Sequence, residues 1–195
     1  MEMSTKQKSL IDHIEEYLGP IQRGWNHTPE GEKIDPQIVE CLGGRIDQTR
    51  AFCTVGLSRH KFSPEAPTGP IRQELLILGP ESSGSKNIPA VLHQLASDVL
   101  RQHRAFLCGD LIERQNPIFQ HKQFYAFVAA VPVLLPDDFA VYKDDTGNQI
   151  VFAWMVPITK PEAVFVREEG WSKLEDMFIT QHADLVDFDR ESIIS

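Results

Sequence analysis

The stretch Ile150-Val-Phe-Ala-Trp-Met-Val-Pro-Ile-Thr-Lys-Pro-Glu162 constrains the fold more than any other part of the chain. Ile150 to Val156 is an apolar run built largely of β-branched and aromatic residues, with no alternating polar face. Such a run reads as a strand covered on both sides. It is expected to stop at Pro157, and a helix start follows at once. Thr159 and Glu162 have capping-box spacing, and Pro161 sits in the first turn. This strand-to-helix junction sets the architecture of the last third of the molecule.

The other elements follow from periodicity and turn chemistry. Leu10, Ile11, Ile14, Tyr17 and Leu18 share one face of an amphipathic helix, placed at 5–18 and closed by Gly19-Pro20. Residues 24–36 are polar and turn-rich, with Trp25 and His27 among them. Strands are expected at Ile38–Leu42, Arg50–Leu57 and Ile71–Leu78, the last ended by Gly79-Pro80. Ser58 to Pro70 contains Pro64, Pro67, Gly69 and Pro70 and reads as a loop. Asn87 and Pro89 open a helix whose apolar face is Val91, Leu92, Leu95, Ala96, Val99 and Leu100. Further strands are expected at Phe106–Ile112, Phe124–Leu135 and Phe139–Tyr142, and Asp144 to Asn148 suits a hairpin turn. The last helix runs from Pro161 to His182 with a break at Gly170. Strands come in groups between helices. That order gives an α+β fold, one domain over 1–195, with a mixed or mainly antiparallel sheet packed by about three helices.

Composition excludes several classes. No apolar stretch reaches the roughly 18–20 residues of a membrane span. The N-terminal residues carry charge without an apolar segment behind them, so no signal peptide is read and a cytoplasmic protein is expected. Cys41, Cys53 and Cys108 are odd in number and unrelated in spacing, which is no disulfide framework. Each is expected to be a small buried hydrophobe. The net charge of −9 disfavours direct nucleic-acid binding. From Pro161 to Ser195 nine acidic residues face three basic ones. Two readings stay open for Glu168, Glu169, Glu175, Asp176, Asp184, Asp187 and Asp189. They are a solvated, solubilising face, or a docking surface for a basic protein partner.

The search for chemistry yields no catalytic residue, no metal set and no cofactor motif. None of the seven histidines forms an HExxH pair, and there is no CxxC. Val55-Gly-Leu-Ser-Arg59 lacks the second glycine of a nucleophile elbow. Gly79 to Lys86 departs from the P-loop spacing. The acids at 144–145 lack the alternating ligands of a calcium loop. Asp137 and Asp138 are adjacent, and in an extended segment they would point opposite ways. Trp25, Phe62 and Phe119 lie in polar, proline-containing segments, either as partner contacts or as aromatics pinning loops to the core.

Three pieces in order resemble the suppressor-of-fused domain family. Arg50-Ala-Phe-Cys-Thr-Val-Gly-Leu-Ser58 is similar to its strand ending in a T-x-G-L-S turn, through Gly56, Leu57 and Ser58. Ile71-Arg-Gln-Glu-Leu-Leu-Ile-Leu78 is similar to its E-L-hydrophobic strand, through Glu74. Val156 to Glu162 is similar to its P-I-T-x-x-E junction, through Pro157, Thr159 and Glu162. The resemblance covers about 35–190. It implies binding, not catalysis. In animals such a domain is part of an adaptor that holds a transcription factor, partly through a partner β-strand. Stand-alone bacterial versions look like immunity proteins of polymorphic toxin systems, and the shortness of this chain favours that type. The residues leave a regulatory adaptor and, third, an enzyme with a spatially assembled site using Cys108 or the histidines as alternatives.

Overall fold

A computed structural model describes residues 8–27, 31, 33–66, 69–83, 87–120 and 122–194. In chain order the elements are α1 (Leu10–Leu18), β1 (Ile21–His27), β2 (Lys33–Leu42), β3 (Thr49–Val55), β4 (Phe62–Ala66), β5 (Gly69–Pro80), α2 (Ile88–Gln102), β6 (Leu111–Glu113), β7 (Phe124–Ala130), β8 (Val141–Lys143), β9 (Gln149–Thr159), α3 (Lys160–Glu169) and α4 (Trp171–Thr180). The nine strands form one mixed sheet of order β1-β2-β3-β5-β9-β7-β6, with β4 added to β5 and β8 to β9. Among the described residues the one parallel strand pair is β5 with β9, from Arg72 opposite Ile150 to Leu76 opposite Trp154.

The apolar run at 150–156 is the middle of the sheet, and its two faces feed two separate cores. Phe152, Trp154, Val156 and Ile158 point to one layer, with Leu76, Leu78 and Val128 from neighbouring strands. Ile14, Tyr17 and Leu18 of α1, Val166 of α3, and Leu174 and Phe178 of α4 cover that layer. Ala153 and Met155 point to the other, with Leu75, Ile77, Phe52 and Phe127. Leu92, Leu95 and Val99 of α2 cover it. A period of two with helices on both sides is why the strand shows no polar face.

Several boundaries differ from those read in the sequence. The polar stretch at 24–36 holds the end of β1 and the start of β2. β1 is an edge strand, mostly exposed, so it needs ladder hydrogen bonds but no apolar alternation. The segment 58–70 is no simple loop: it contains a 3₁₀ turn at Leu57–Arg59 and β4, and β5 begins at Gly69. β5 runs on through Gly79 and Pro80. A Cβ at Gly79 would lie 2.5 Å from the Phe188 ring, so glycine is what lets that ring pack there. β9 likewise continues through Pro157 to Thr159. The strand expected at 106–112 shrinks to β6, and β7 ends at Ala130 before a turn. Residues 137–139 form a 3₁₀ turn, so Asp137 and Asp138 are not in an extended segment. Helix α1 begins at Leu10 behind a Ser9–Asp12 capping box; residues 5–7 lie outside the described residues. Gly84, Ser85, Lys86 and His121 lie outside them as well. Gly170 does divide the last helix, giving α3 and α4. The helices number four among the described residues, against about three expected.

Candidate functional site

The motif residues converge on two buried carboxylates. The first is Glu74, in the middle of β5 and fully buried. β3 ends at Val55, and Gly56 turns the chain with a φ of +106°, which a side chain would strain. Glu74 gathers that turn. It accepts hydrogen bonds from the Thr54 and Ser58 hydroxyls, both at 2.6 Å. The backbone N–H groups of Gly56 (2.9 Å), Ser58 (3.1 Å) and Leu57 (3.3 Å) also donate to it. Thr54 Oγ1 in turn accepts from the Leu75 N–H at 2.8 Å. Burial pushes the Glu74 carboxyl above its ordinary range, and the donors from Ser58, Thr54 and the turn pull against that shift. The turn's outer carbonyls, Ser58 and Arg59, accept from Arg72 Nη1 at 2.8 and 3.0 Å.

The second is Glu162, also fully buried. Its capping box forms: Thr159 N–H donates to Glu162 Oε2 at 2.8 Å, and the Glu162 N–H reaches Thr159 Oγ1. The same carboxylate pairs with Arg190 through Nη1 (2.6 Å) and Nη2 (2.9 Å) and accepts from the Ile193 N–H. Arg190 Nη2 also donates to the Pro157 carbonyl, and its guanidinium lies over Phe124 and Phe178. Glu162 is therefore the anchor of the C-terminal segment as well as a cap. Sequence reasoning missed Arg190 because its partner lies 28 residues away and no local pattern joins them. A third buried carboxylate, Glu40 of β2, pairs with Arg50 of β3 and was missed for the same reason.

Both motif carboxylates are saturated by bonds to their own fold, which makes them architectural groups. Among the described residues, no cluster of three His, Cys, Asp or Glu side chains could hold a metal. His13 is buried, with Nε2 3.1 Å from the Phe139 carbonyl, and burial lowers its pKa. Asp144 accepts from Thr146 and Asn148, which pulls it down to about 2 and closes the hairpin turn. Cys41 and Cys53 are buried, and burial pushes the Cys41 thiol to about 12. Cys108 is exposed, contrary to expectation, because 106–110 leaves the sheet before β6.

The acidic residues do not form one uniform surface. Asp184 and Asp187 accept backbone N–H groups in turns after α4. Asp189 pairs with Lys122 and Glu169 with Lys173. Glu168 is exposed at the end of α3. On α4, half-buried Glu175 and exposed Asp176 lie four and three residues before Ile179, which is 67% exposed. These three side chains share one outer face of α4. Of the loop aromatics, Phe62 and Phe119 are buried, and half-buried Trp25 packs on Phe52. They pin segments to the core.

The family profile "Suppressor of fused protein (SUFU)" matches residues 35–191. Among solved structures, the chain is similar to a SUFU homolog from Neisseria gonorrhoeae FA 1090, with a TM-score of 0.73 and 20% identity, over 94% of this chain and 93% of that one. It is also similar to a chain of the Sufu–Fu complex, with a TM-score of 0.70 and 12% identity, over 93% and 88%. Suppressor of Fused from Drosophila gives 0.59 at 15% identity, over 80% of this chain and 42% of that one. At these identities the likeness is one of fold. No curated protein matches the chain.

Proposed function

The chain belongs to the suppressor of fused protein family, and from that premise we propose that it is a non-catalytic protein-binding domain of the immunity type, which neutralises a cognate toxin by direct contact. The domain covers about 35–190, with α1 packed on it. The Sufu–Fu complex supports protein binding as a use of this fold. The observation that carries the reading is the outer face of α4. Glu175, Asp176 and the exposed Ile179 lie together there, with Glu168 at the end of the preceding helix. An exposed apolar side chain beside two carboxylates suits a basic partner. Electrostatic complementarity would speed encounter and reject acidic competitors. In a chain of net charge −9 the long-range field acts in the same direction.

The test begins with affinity capture from the native cell. A stoichiometric basic toxin domain is the expected partner. Its association rate with the variant Glu168→Lys, Glu169→Lys, Glu175→Lys, Asp176→Lys is then measured at low and high salt. The rate should fall at least about tenfold at low salt and converge at high salt. An unchanged rate removes the acidic face from the proposal. A second reading is an adaptor that adds a partner strand to the sheet. It is favoured by the open sheet, whose terminal strands β1 and β6 each pair on one side only among the described residues. A partner that binds as an extended peptide instead of a folded domain would select it.

A further inference from the structure

We propose that the cleft between the N-terminal ends of β5 and β9 is an oxyanion site for a small carboxylate- or phosphate-bearing ligand. The two central strands pair only from Arg72 and Ile150 onward. Before that point they part, β5 toward β4 and β9 toward β8. The gap is a cavity of about 450 Å³, within the roughly 300–1,000 Å³ of small-ligand sites. Lys61 and Arg72 line it, together with Pro70, Gly147, Asn148 and Gln149, and among the described residues no carboxylate lines it. In a protein of net charge −9, the charged side chains that line this cavity among the described residues are both cationic, while Asp144 behind the lining is already bonded to Asn148.

Arg72 is pre-positioned. Its Nη1 is held by the Ser58 and Arg59 carbonyls, and Glu74 fixes the turn that presents them. Its Nε and Nη2 have no partner among the described residues, and neither does the Lys61 ammonium. A fixed guanidinium with spare donors beside an exposed ammonium suits the forked geometry of carboxylate or phosphate. Two features favour a small ligand over an added strand. Pro70 offers no N–H to a ladder, and the Gly147 and Asn148 N–H groups are already bonded to Asp144. The cleft is also remote from the acidic helices. α3 follows the far end of β9, whose 11 residues span about 35 Å.

The test is an NMR titration of the ¹⁵N-labelled full chain with inorganic phosphate and, separately, with acetate, at ionic strength held constant with chloride. Saturable shifts are expected at the amides of Gly69, Arg72, Gly147 and Gln149. Tighter phosphate binding identifies a phosphoryl ligand, and tighter acetate binding a carboxylate. Lys61 is exposed, so Lys61→Gln keeps the fold and should weaken binding about tenfold, the loss of one charge-assisted bond. Arg72→Lys keeps the charge but loses the fork and should weaken binding at least as much. Shifts that never saturate, that chloride reproduces, or that Lys61→Gln leaves at full affinity overturn the proposal.

Discussion

Glu74 and Glu162 are both fully buried carboxylates, yet the fold satisfies them in different ways. Glu74 meets five neutral donors drawn from one turn within 20 residues. Glu162 meets a guanidinium from 28 residues away. The first arrangement shapes a local bend and leaves its carboxyl raised by burial. The second compensates charge with charge and ties the chain's end to the β9–α3 junction. The lesson is that one residue type serves two purposes: turn geometry at one site, long-range closure at the other.

The sharpest way to break the comparison is Arg190→Ala. It strands the Glu162 charge, which for a buried pair costs about 3–5 kcal/mol of stability by urea unfolding. Glu162→Gln in the same background should recover much of that loss, because the stranded charge goes with it. Glu74→Gln comes next. It leaves an N–H₂ facing donors and should cost about 1–3 kcal/mol. Recovery of Glu74→Gln by a second change at Arg72 would show that the two centres are alike after all.

A pH scan separates them further. The folded pKa of Glu74 is raised above its ordinary 4.5. Between that value and the raised one, the native state holds a proton that the unfolded chain has lost. Stability from this group is therefore fully present below 4.5 and is lost as pH rises through the folded pKa. The stability gap between wild type and Glu74→Gln should narrow across that window. A gap independent of pH would contradict the burial argument. The smallest effect is expected at Thr159→Ala, about 1 kcal/mol for a lost cap. Changes at exposed Asp176 should shift stability by less than about 0.5 kcal/mol while altering association with the partner.

Much of this was legible along the chain. The buried run at 150–156, the capping box at Thr159 and Glu162, the glycine turn at Gly56 and the break at Gly170 are local patterns whose causes lie within a few residues. The edge strands β1 and β4 were not legible, because an edge strand is held by its neighbour's backbone and needs no pattern of its own. The same holds for the seven acidic residues of the C-terminal quarter read as a possible docking surface. Sequence counted their charge, but only packing committed Asp184 and Asp187 to turns, Asp189 to Lys122 and Glu169 to Lys173.

By itself, then, the sequence determined which segments are helices and central strands, and that the chain has the motifs of its family. Hydrophobic period and capping act over a single turn or strand, so they are written locally. Tertiary structure alone decided that the T-x-G-L-S turn and Glu74 are one site, that Arg190 closes on Glu162, and that Lys61 and Arg72 share a cleft. Those pairings join residues brought together by the sheet, and no spacing along the chain encodes them.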